Sequence, residues 1–314
     1  MINKFFVTNN YKSIKLKLSS TGRYSYKDSE WNYSDIPHLN YVHTRVEGIL
    51  LTASEVHTSS VLLQRIGPFE IPASVNIFHN SERAHTYLIT ILNIAILVET
   101  THLTAGDECN TTTTYEFFYK GIFGWIVCVA AKFSTIQNYK VLMDEDMPMR
   151  TQRGILRSRG VTFELDEKNL IGFSDTLDIS NNHVDCRLAV PFESFRYVII
   201  DSPTGLADIE DYWLRVRWHH NTIYIYPLIC PHEGAPLIEQ ITTLNPVNGC
   251  TIHMKCPWHG RKILPVAAID LTKHDSIAFV VYKVRFIAAL ESRITTDNST
   301  IVKTLRLYPK SPAV

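Results

Sequence analysis

Cys230-Pro-His232-Glu-Gly-Ala235 and Cys256-Pro-Trp-His259-Gly260 are two boxes built alike, each offering one sulfur and one imidazole, at C-x-H and C-x-x-H spacing. Together they make a complete four-donor set for a metal centre. Two chemistries use such a set. Cys₂His₂ is a tetrahedral zinc set, but a zinc finger normally groups its cysteines in one knuckle and its histidines in another. Here each box mixes one of each. Two thiolates can instead hold one iron of a [2Fe–2S] cluster while two imidazoles hold the other.

The text around the boxes is strand-like. Trp213-Leu-Arg-Val-Arg-Trp218 alternates apolar and basic residues, His219-His220-Asn221 is a polar turn, and Thr222-Ile-Tyr-Ile-Tyr226 runs into the first box. That is a hairpin pattern. Thr251–Lys255 alternates again and delivers the second box, and Ile277–Leu290 is rich in Val, Ile, Phe and Tyr. His219 and His220 belong to the turn in this reading, not to a metal.

On the strength of the two boxes, roughly residues 190–295 resemble the Rieske iron–sulfur family. The resemblance implies an all-β Rieske domain, expected over residues 186–314, with a [2Fe–2S] cluster on Cys230, His232, Cys256 and His259. Rieske proteins of respiratory complexes add a disulfide-forming cysteine to each ligand loop; here Ala235 and Trp258 stand in those places. The clamp is missing, as in the oxygenase and ferredoxin branches. Residues 233–255, 23 in number, separate the boxes, and an insertion centred on Thr242–Asn248 accounts for that length.

Composition narrows the rest. The chain of 314 residues is long enough for two domains of ordinary size. Lys plus Arg and Asp plus Glu both total 31. This balance gives no electrostatic reason to expect nucleic acid or a membrane surface as partner. The opening residues lack the apolar core of a signal peptide. The greasiest runs, Tyr87–Val98 and Gly121–Ala131, are too short to span a bilayer. A cytoplasmic protein is the expectation, and the absent disulfide clamp fits a reducing compartment. The four cysteines outside the boxes, Cys109, Cys128, Cys186 and Cys250, read as buried small hydrophobes.

Before residue 190 the chain also favours strand. Val61–Leu63, Ile71–Phe78, Tyr87–Val98, Thr111–Phe118 and Gly121–Val129 are β-branched or aromatic runs between polar turns. Better helix formers follow over Gln137–Arg157, where Pro148 should break or start a helix. One helical segment near the front, several strands and a closing helix suggest an α+β domain whose sheet curves round a pocket. Its boundary is expected within Asp175–Phe195.

Near the front, Ser34-Asp35-Ile-Pro-His38-Leu-Asn-Tyr-Val-His43 spaces an aspartate and two histidines as Asp-x-x-His-x₄-His. On a straight helix the two rings would point about 140° apart, so a bulge or helix end must bring them together. Taken alone, Ser34 or Asp35 could simply cap a helix with Pro37 in its first turn.

Beside the Rieske boxes, the segment resembles the catalytic domain of Rieske non-haem iron oxygenases at all three spaced positions. The resemblance implies a helix-grip, START-like fold over residues 1–185. It also implies Fe(II) on His38, His43 and a downstream carboxylate, the facial triad that leaves positions open for dioxygen. Met143-Asp-Glu-Asp-Met-Pro-Met-Arg-Thr-Gln152 resembles the family's Glu-Asp-x₅-Gln stretch and selects Asp146, with Asp144 and Glu145 as competitors. Asp35 becomes the residue that links the iron to a neighbouring subunit's Rieske domain and orients a ligand histidine.

The whole then reads as an oxygenase, a homotrimer that takes electrons from a ferredoxin or flavin reductase and oxidises a hydrophobic small molecule with O₂. The walls of its pocket would come from Tyr87–Val98 and Gly121–Val129. The order of the domains is reversed relative to the family, in which the Rieske domain comes first. The alternative is a Rieske electron carrier fused to a hydrophobic-ligand-binding domain with no mononuclear iron.

Overall fold

The computed structural model describes the chain apart from residues 1, 55–56, 67–68, 82, 92–93, 107, 164–175, 178–185, 190–193, 202–203, 220, 244–249, 274–275, 295–300 and 311–314. Two compact units emerge: Met1–Ile155 with Leu165–Phe173, and Leu156–Glu164 with Ser174–Val314. The expected boundary after residue 185 falls outside the described residues. No helix among the described residues is long and apolar enough to cross a membrane.

The first unit opens with α1 (Ile2–Thr8), β1 (Lys12–Gly22) and α2 (Tyr26–Ser34). A 3₁₀ turn (Ile36–His38) and α3 (Leu39–Val42) follow. Then come β2 (Val46–Ala53), β3 (His57–Ile66), β4 (Phe69–Ser81), β5 (Ala84–Ile91), β6 (Ile94–Ala105), β7 (Glu108–Tyr119) and the long α4 (Gly121–Ser158). The seven strands form one sheet in the order β1-β7-β6-β5-β4-β3-β2, antiparallel throughout. Val75 and Ile77 of β4, Val98 of β6 and Phe117 of β7 meet Ile36 and Cys128 in the core. Sheet residues and α4 residues line one cavity together. This is the expected α+β helix-grip architecture.

Local chemistry explains the entry to the site. Ser25 caps α2, its hydroxyl accepting the Asp28 N–H while the Asp28 carboxylate accepts the Ser25 N–H. This reciprocal capping box holds both orphan donors. Pro37 sits in the first turn of the 3₁₀ segment, where no backbone donor is needed. On α4, a Cβ at Gly154 would stand 2.7 Å from the Arg23 carbonyl oxygen, so only glycine permits the close approach of helix and chain.

Three expectations fail here. Gly121–Val129 is not a strand but the first turns of α4, with Ile122, Phe123, Trp125 and Ile126 exposed. Its β-branched and aromatic residues mislead because helix propensities differ by less than a kcal/mol per residue and tertiary context overrides them. Pro148 lies inside α4, which continues through it to Ser158. The helix loses one backbone donor there without ending. Tyr87–Val98 divides into β5 and β6, which pair with each other as neighbours.

The second unit is all β. Its strands are β8 (Val161–Phe163), β9 (Thr176–Leu177), β10 (Cys186–Leu188), β11 (Arg196–Ile200), β12 (Thr204–Ile209), β13 (Leu214–His219) and β14 (Thr222–Pro227). They continue as β15 (Ile238–Thr243), β16 (Cys250–Lys255), β17 (Lys262–Ile263), β18 (Ala267–Asp270), β19 (Ser276–Val281), β20 (Val284–Ile294) and β21 (Ile301–Lys310). One sheet runs β12-β13-β14-β18, another β15-β16-β17-β9, a third β11-β21-β20-β19.

The alternation of β13 is realised: Leu214, Val216 and Trp218 point into the core, while Arg215 and Arg217 bind the carboxylates of Asp208 and Glu239. Much of the long interval between the boxes is the β15–β16 hairpin, closing at Thr243 and Cys250. The inserted segment, centred on Thr242–Asn248, lies mainly outside the described residues. Cys109, Cys128 and Cys186 are buried as expected. The side chain of Cys250 lies outside the described set.

Candidate metal centres

The two boxes of the second unit are closed by the same bond. The Cys230 N–H donates to the Ala235 carbonyl at 2.7 Å, and the Cys256 N–H donates to the Arg261 carbonyl at 2.8 Å. Each cysteine therefore bonds five residues ahead, folding its box into a loop. Gly234 (φ +85°) and Gly260 (φ +65°) take the left-handed turn that each loop needs. Under the first loop, the buried Tyr282 hydroxyl donates to the Ile229 carbonyl at 2.9 Å or the Trp213 carbonyl at 2.8 Å, and accepts the Ile229 N–H.

The four box residues converge. Cys230 and Cys256 are fully buried and hydrogen-bonded to each other, with no disulfide. Burial pushes the Cys230 thiol up, yet the Cys256 thiol and the His232 and Glu233 backbone N–H groups bring it below the ordinary range. Cys256 is pushed up in turn by that same bond to Cys230. A bound cation takes both sulfurs as thiolates and so releases their protons. The His232 and His259 rings stand 5.7 Å apart, nearly perpendicular. The Glu233 carboxylate lies 3.4 Å from one ring and 3.3 Å from the other. Neither residue type nor spacing singled out Glu233 in advance. Adjacent thiols on one side and paired imidazoles on the other are the donor arrangement that a [2Fe–2S] cluster with mixed ligands requires.

The first unit brings together His38, His43 and Asp146. The 3₁₀ turn and α3 break the straight helix between the histidines, and their Nε2 atoms come within 3.1 Å. Asp146 Oδ1 arrives from α4, 3.4 Å from His38 Nε2 and 3.1 Å from His43 Nε2. For a metal about 2.1 Å from each donor, neighbouring donors stand roughly 3.0 Å apart in an octahedral shell and roughly 3.4 Å in a tetrahedral one. The three residues therefore fit one divalent ion. Asp144 is exposed, and Glu145 lies outside the triangle.

The surroundings hold each donor in place. The Asp35 carbonyl accepts from His38 Nδ1, and the Asp35 carboxylate lies 3.5 Å from the same nitrogen. Glu145 accepts from His43 Nδ1 at 2.8 Å and from the Thr44 hydroxyl at 2.8 Å. A carbonyl or carboxylate oxygen only accepts, so both rings carry hydrogen on Nδ1 and turn Nε2 inward. Asp146 receives the Asn32 amide at 3.2 Å and the buried Arg150 guanidinium at 3.3 Å. Arg150 also binds Asn32 Oδ1 through Nε at 2.8 Å. Asp35 is itself buried within its own chain.

Burial lowers the His38 pKa, but hydrogen bonds with Asp146 and Asp35 more than reverse this and raise it to about 10. Burial likewise raises the Asp146 carboxyl, and the two histidines and Arg150 carry it far below the usual range.

Above the triad opens an apolar cavity of about 180 Å³. Tyr87, Ile89 and Val98 line it, as expected of that run. Gly121–Val129 contributes nothing; the helical wall comes from Tyr139, Leu142 and Met143, further along α4. Asn32 and Arg150 were missed in the sequence, and Glu145 was read there as a competing ligand, not as the partner of His43 Nδ1. The only signal for the first two was position, Arg150 one helical turn beyond Asp146 and Asn32 three residues before Asp35.

Comparison with known proteins bears on both units. Residues 201–271 match the Rieske [2Fe-2S] domain. The second unit carries a Rieske domain. That match implies a [2Fe–2S] cluster and spans the two loops just described. No curated protein matches the chain.

Among solved structures, the chain is similar to the Zhui aromatase/cyclase from Streptomyces sp. R1128, at 8% identity and a TM-score of 0.41, over 45% of this chain and 96% of that one. It is also similar to norcoclaurine synthase from Thalictrum flavum, at 13% identity and 0.39, over 46% and 97%. A START superfamily protein from Mycobacterium smegmatis matches at 10% identity and 0.35, over 41% and 93%.

Proposed function

We propose that this protein is a Rieske-type oxygenase that inserts oxygen from O₂ into a compact hydrophobic molecule held in the first unit. The observation that carries the reading is the triangle of His38 Nε2, His43 Nε2 and Asp146 Oδ1, with sides of 3.1–3.4 Å, at the floor of an apolar cavity. Two imidazoles and one carboxylate leave open positions on a non-haem iron. When bound, that iron and the Rieske cluster supply oxygen activation and single-electron delivery.

For hydroxylation the balance is R–H, O₂, two electrons and two protons giving R–OH and water: one C–H bond is broken and one C–O bond made. A ferredoxin or flavin reductase supplies the electrons. Desaturation or demethylation would draw on the same inputs.

The chain's own residues set up this chemistry. Asp35 and Glu145 hold a proton on the Nδ1 atoms of His38 and His43 and fix how the rings face. Arg150 and Asn32 hold Asp146 and offset its charge. Tyr87, Ile89, Val98 and Leu142 exclude water and orient an apolar substrate. At about 180 Å³ the cavity is smaller than the roughly 300–1,000 Å³ of drug-sized ligand sites, which favours a small substrate. Asp35 lies on the route by which electrons reach the iron from the cluster of a neighbouring subunit, in a cyclic homotrimer.

Anaerobic iron analysis with product detection under ¹⁸O₂ tests the reading. The cluster accounts for two irons; one more, lost in His38→Ala together with labelled product, is expected. A protein that binds apolar ligands and passes electrons, but forms no oxygenated product from any apolar compound it binds, is instead an electron carrier fused to a ligand-binding domain.

A further inference from the structure

A second group of donors lies in the first unit and shares no residue with the triad. His79, late in β4, and His85, early in β5, stand directly across the hairpin from each other. Side chains in such a cross-strand pair leave the same face with Cβ atoms about 5 Å apart, so two rings there meet. Their Nδ1 atoms lie 3.2 Å apart. Glu30 comes to them from α2, its Oε1 4.0 Å from His85 Nε2. One donor atom from each of the three can be chosen so that all lie within 4.8 Å of one another.

Behind them stands His102 on β6, edge-on to His85 with ring centroids 5.6 Å apart. His102 Nδ1 bonds the Thr111 hydroxyl at 3.1 Å, and its buried Nε2 makes no hydrogen bond among the described residues. Glu30 and His85 are buried, while His79 is half-buried and gives the group access to solvent.

We propose that Glu30, His79 and His85 form a second divalent transition-metal site in the N-terminal unit. Two imidazoles and one carboxylate are borderline donors that suit Zn²⁺, Fe²⁺ and Co²⁺ rather than Mg²⁺ or Ca²⁺. The 3.2 Å between the two Nδ1 atoms matches neighbouring donors about 2.0–2.1 Å from one zinc ion; the Glu30 carboxylate, now 4.0 Å from the other ring nitrogen of His85, must turn to join them. The three donors come from two strands and a helix, so an ion here ties α2 to the β4–β5 hairpin. A fourth position is left for water.

Zinc is the probe, and the chain carrying His38→Ala and His43→Ala keeps the first centre out of the count. After dialysis against Zn²⁺ and removal of excess, elemental analysis is expected to find one zinc per chain retained, with the visible absorption of the cluster unchanged. Adding His79→Ala, at a half-buried position that tolerates truncation, should abolish retention, and Glu30→Gln, of the same size, should weaken it at least tenfold. Zinc should raise the melting temperature of the double variant and leave that of the triple variant unmoved. A double variant that retains no zinc, or one whose zinc is indifferent to His79→Ala, overturns the proposal. Retained iron in His38→Ala that vanishes with His79→Ala would support this site while counting against the first.

Discussion

Stripping the divalent ion from the His38–His43–Asp146 centre should expose a proton that metal binding must displace. Three carboxylates, Asp35, Glu145 and Asp146, stand against the two histidines, and one buried guanidinium, Arg150, pairs with Asp146. A doubly charged ion with neutral histidines balances that set. Without the ion, His38 takes a proton and its pKa rises from 6.5 to about 10. At pH 7 the proton sits about three units below its pKa, so displacing it costs about 4 kcal/mol, or a thousandfold in apparent affinity.

Calorimetric titration of the chelated protein with Fe²⁺ or Co²⁺, in buffers of different ionisation enthalpy, should therefore find one proton released per ion. The apparent Kd should fall about tenfold per pH unit from 6.5 to 9. The metal-free protein has the opposite trend. The folded pKa of His38 lies above its unfolded value, so its stabilisation is complete below pH 6.5 and is lost as pH climbs towards 10. The full loss is about 5 kcal/mol. Chelated protein should thus melt lower at pH 9 than at pH 6, with the difference shrinking once metal is restored. A Kd independent of pH, with no proton released, would refute the assignment of His38 as a donor that must lose its proton.

Other outcomes follow from the same contacts. Asp146→Ala should lose the ion outright, Glu145→Gln should keep it with affinity reduced about 10–100-fold, and Asp144→Asn should change neither; metal analysis of the three separates them. His259→Cys adds negative charge beside the cluster and should lower its potential towards the roughly −400 mV of all-cysteine ferredoxins, read by redox titration. An unchanged potential would remove His259 from the ligand set. Asp35→Asn should leave cluster and ion bound, because the backbone carbonyl still holds His38 Nδ1, while single-turnover electron transfer to the iron slows at least tenfold. Full turnover in that variant, or in a monomer isolated at working concentration, would reduce Asp35 to a turn residue.

The two Rieske loops were legible in the sequence because their information is local. A Cys-Pro-His or Cys-Pro-Trp-His box carries its ligands within four residues, and one bond, five residues ahead, closes it. The alternation of Leu214, Val216 and Trp218 was equally direct, since a strand's period of two writes burial straight into the residue order. Two of the three triad donors were visible as well: His38 and His43 lie near each other in sequence, and the 3₁₀ turn and short α3 that join them suffice for their convergence.

The third donor was not fixed that way. By residue type Asp144, Glu145 and Asp146 are interchangeable, and only the family resemblance selected Asp146. Only the rotation of α4 against the sheet, about 100° per residue, turns Asp146 inward, Glu145 to the far side of His43 and Asp144 outward. Gly121–Val129 is helical against its own β preference as the opening of the continuous α4, which also carries Pro148 inside it. Long-range packing also brought Glu30 to the hairpin pair His79 and His85, which no spacing in the chain announces. Local order wrote the cluster loops; contacts across more than a hundred residues decided which carboxylate the histidines meet.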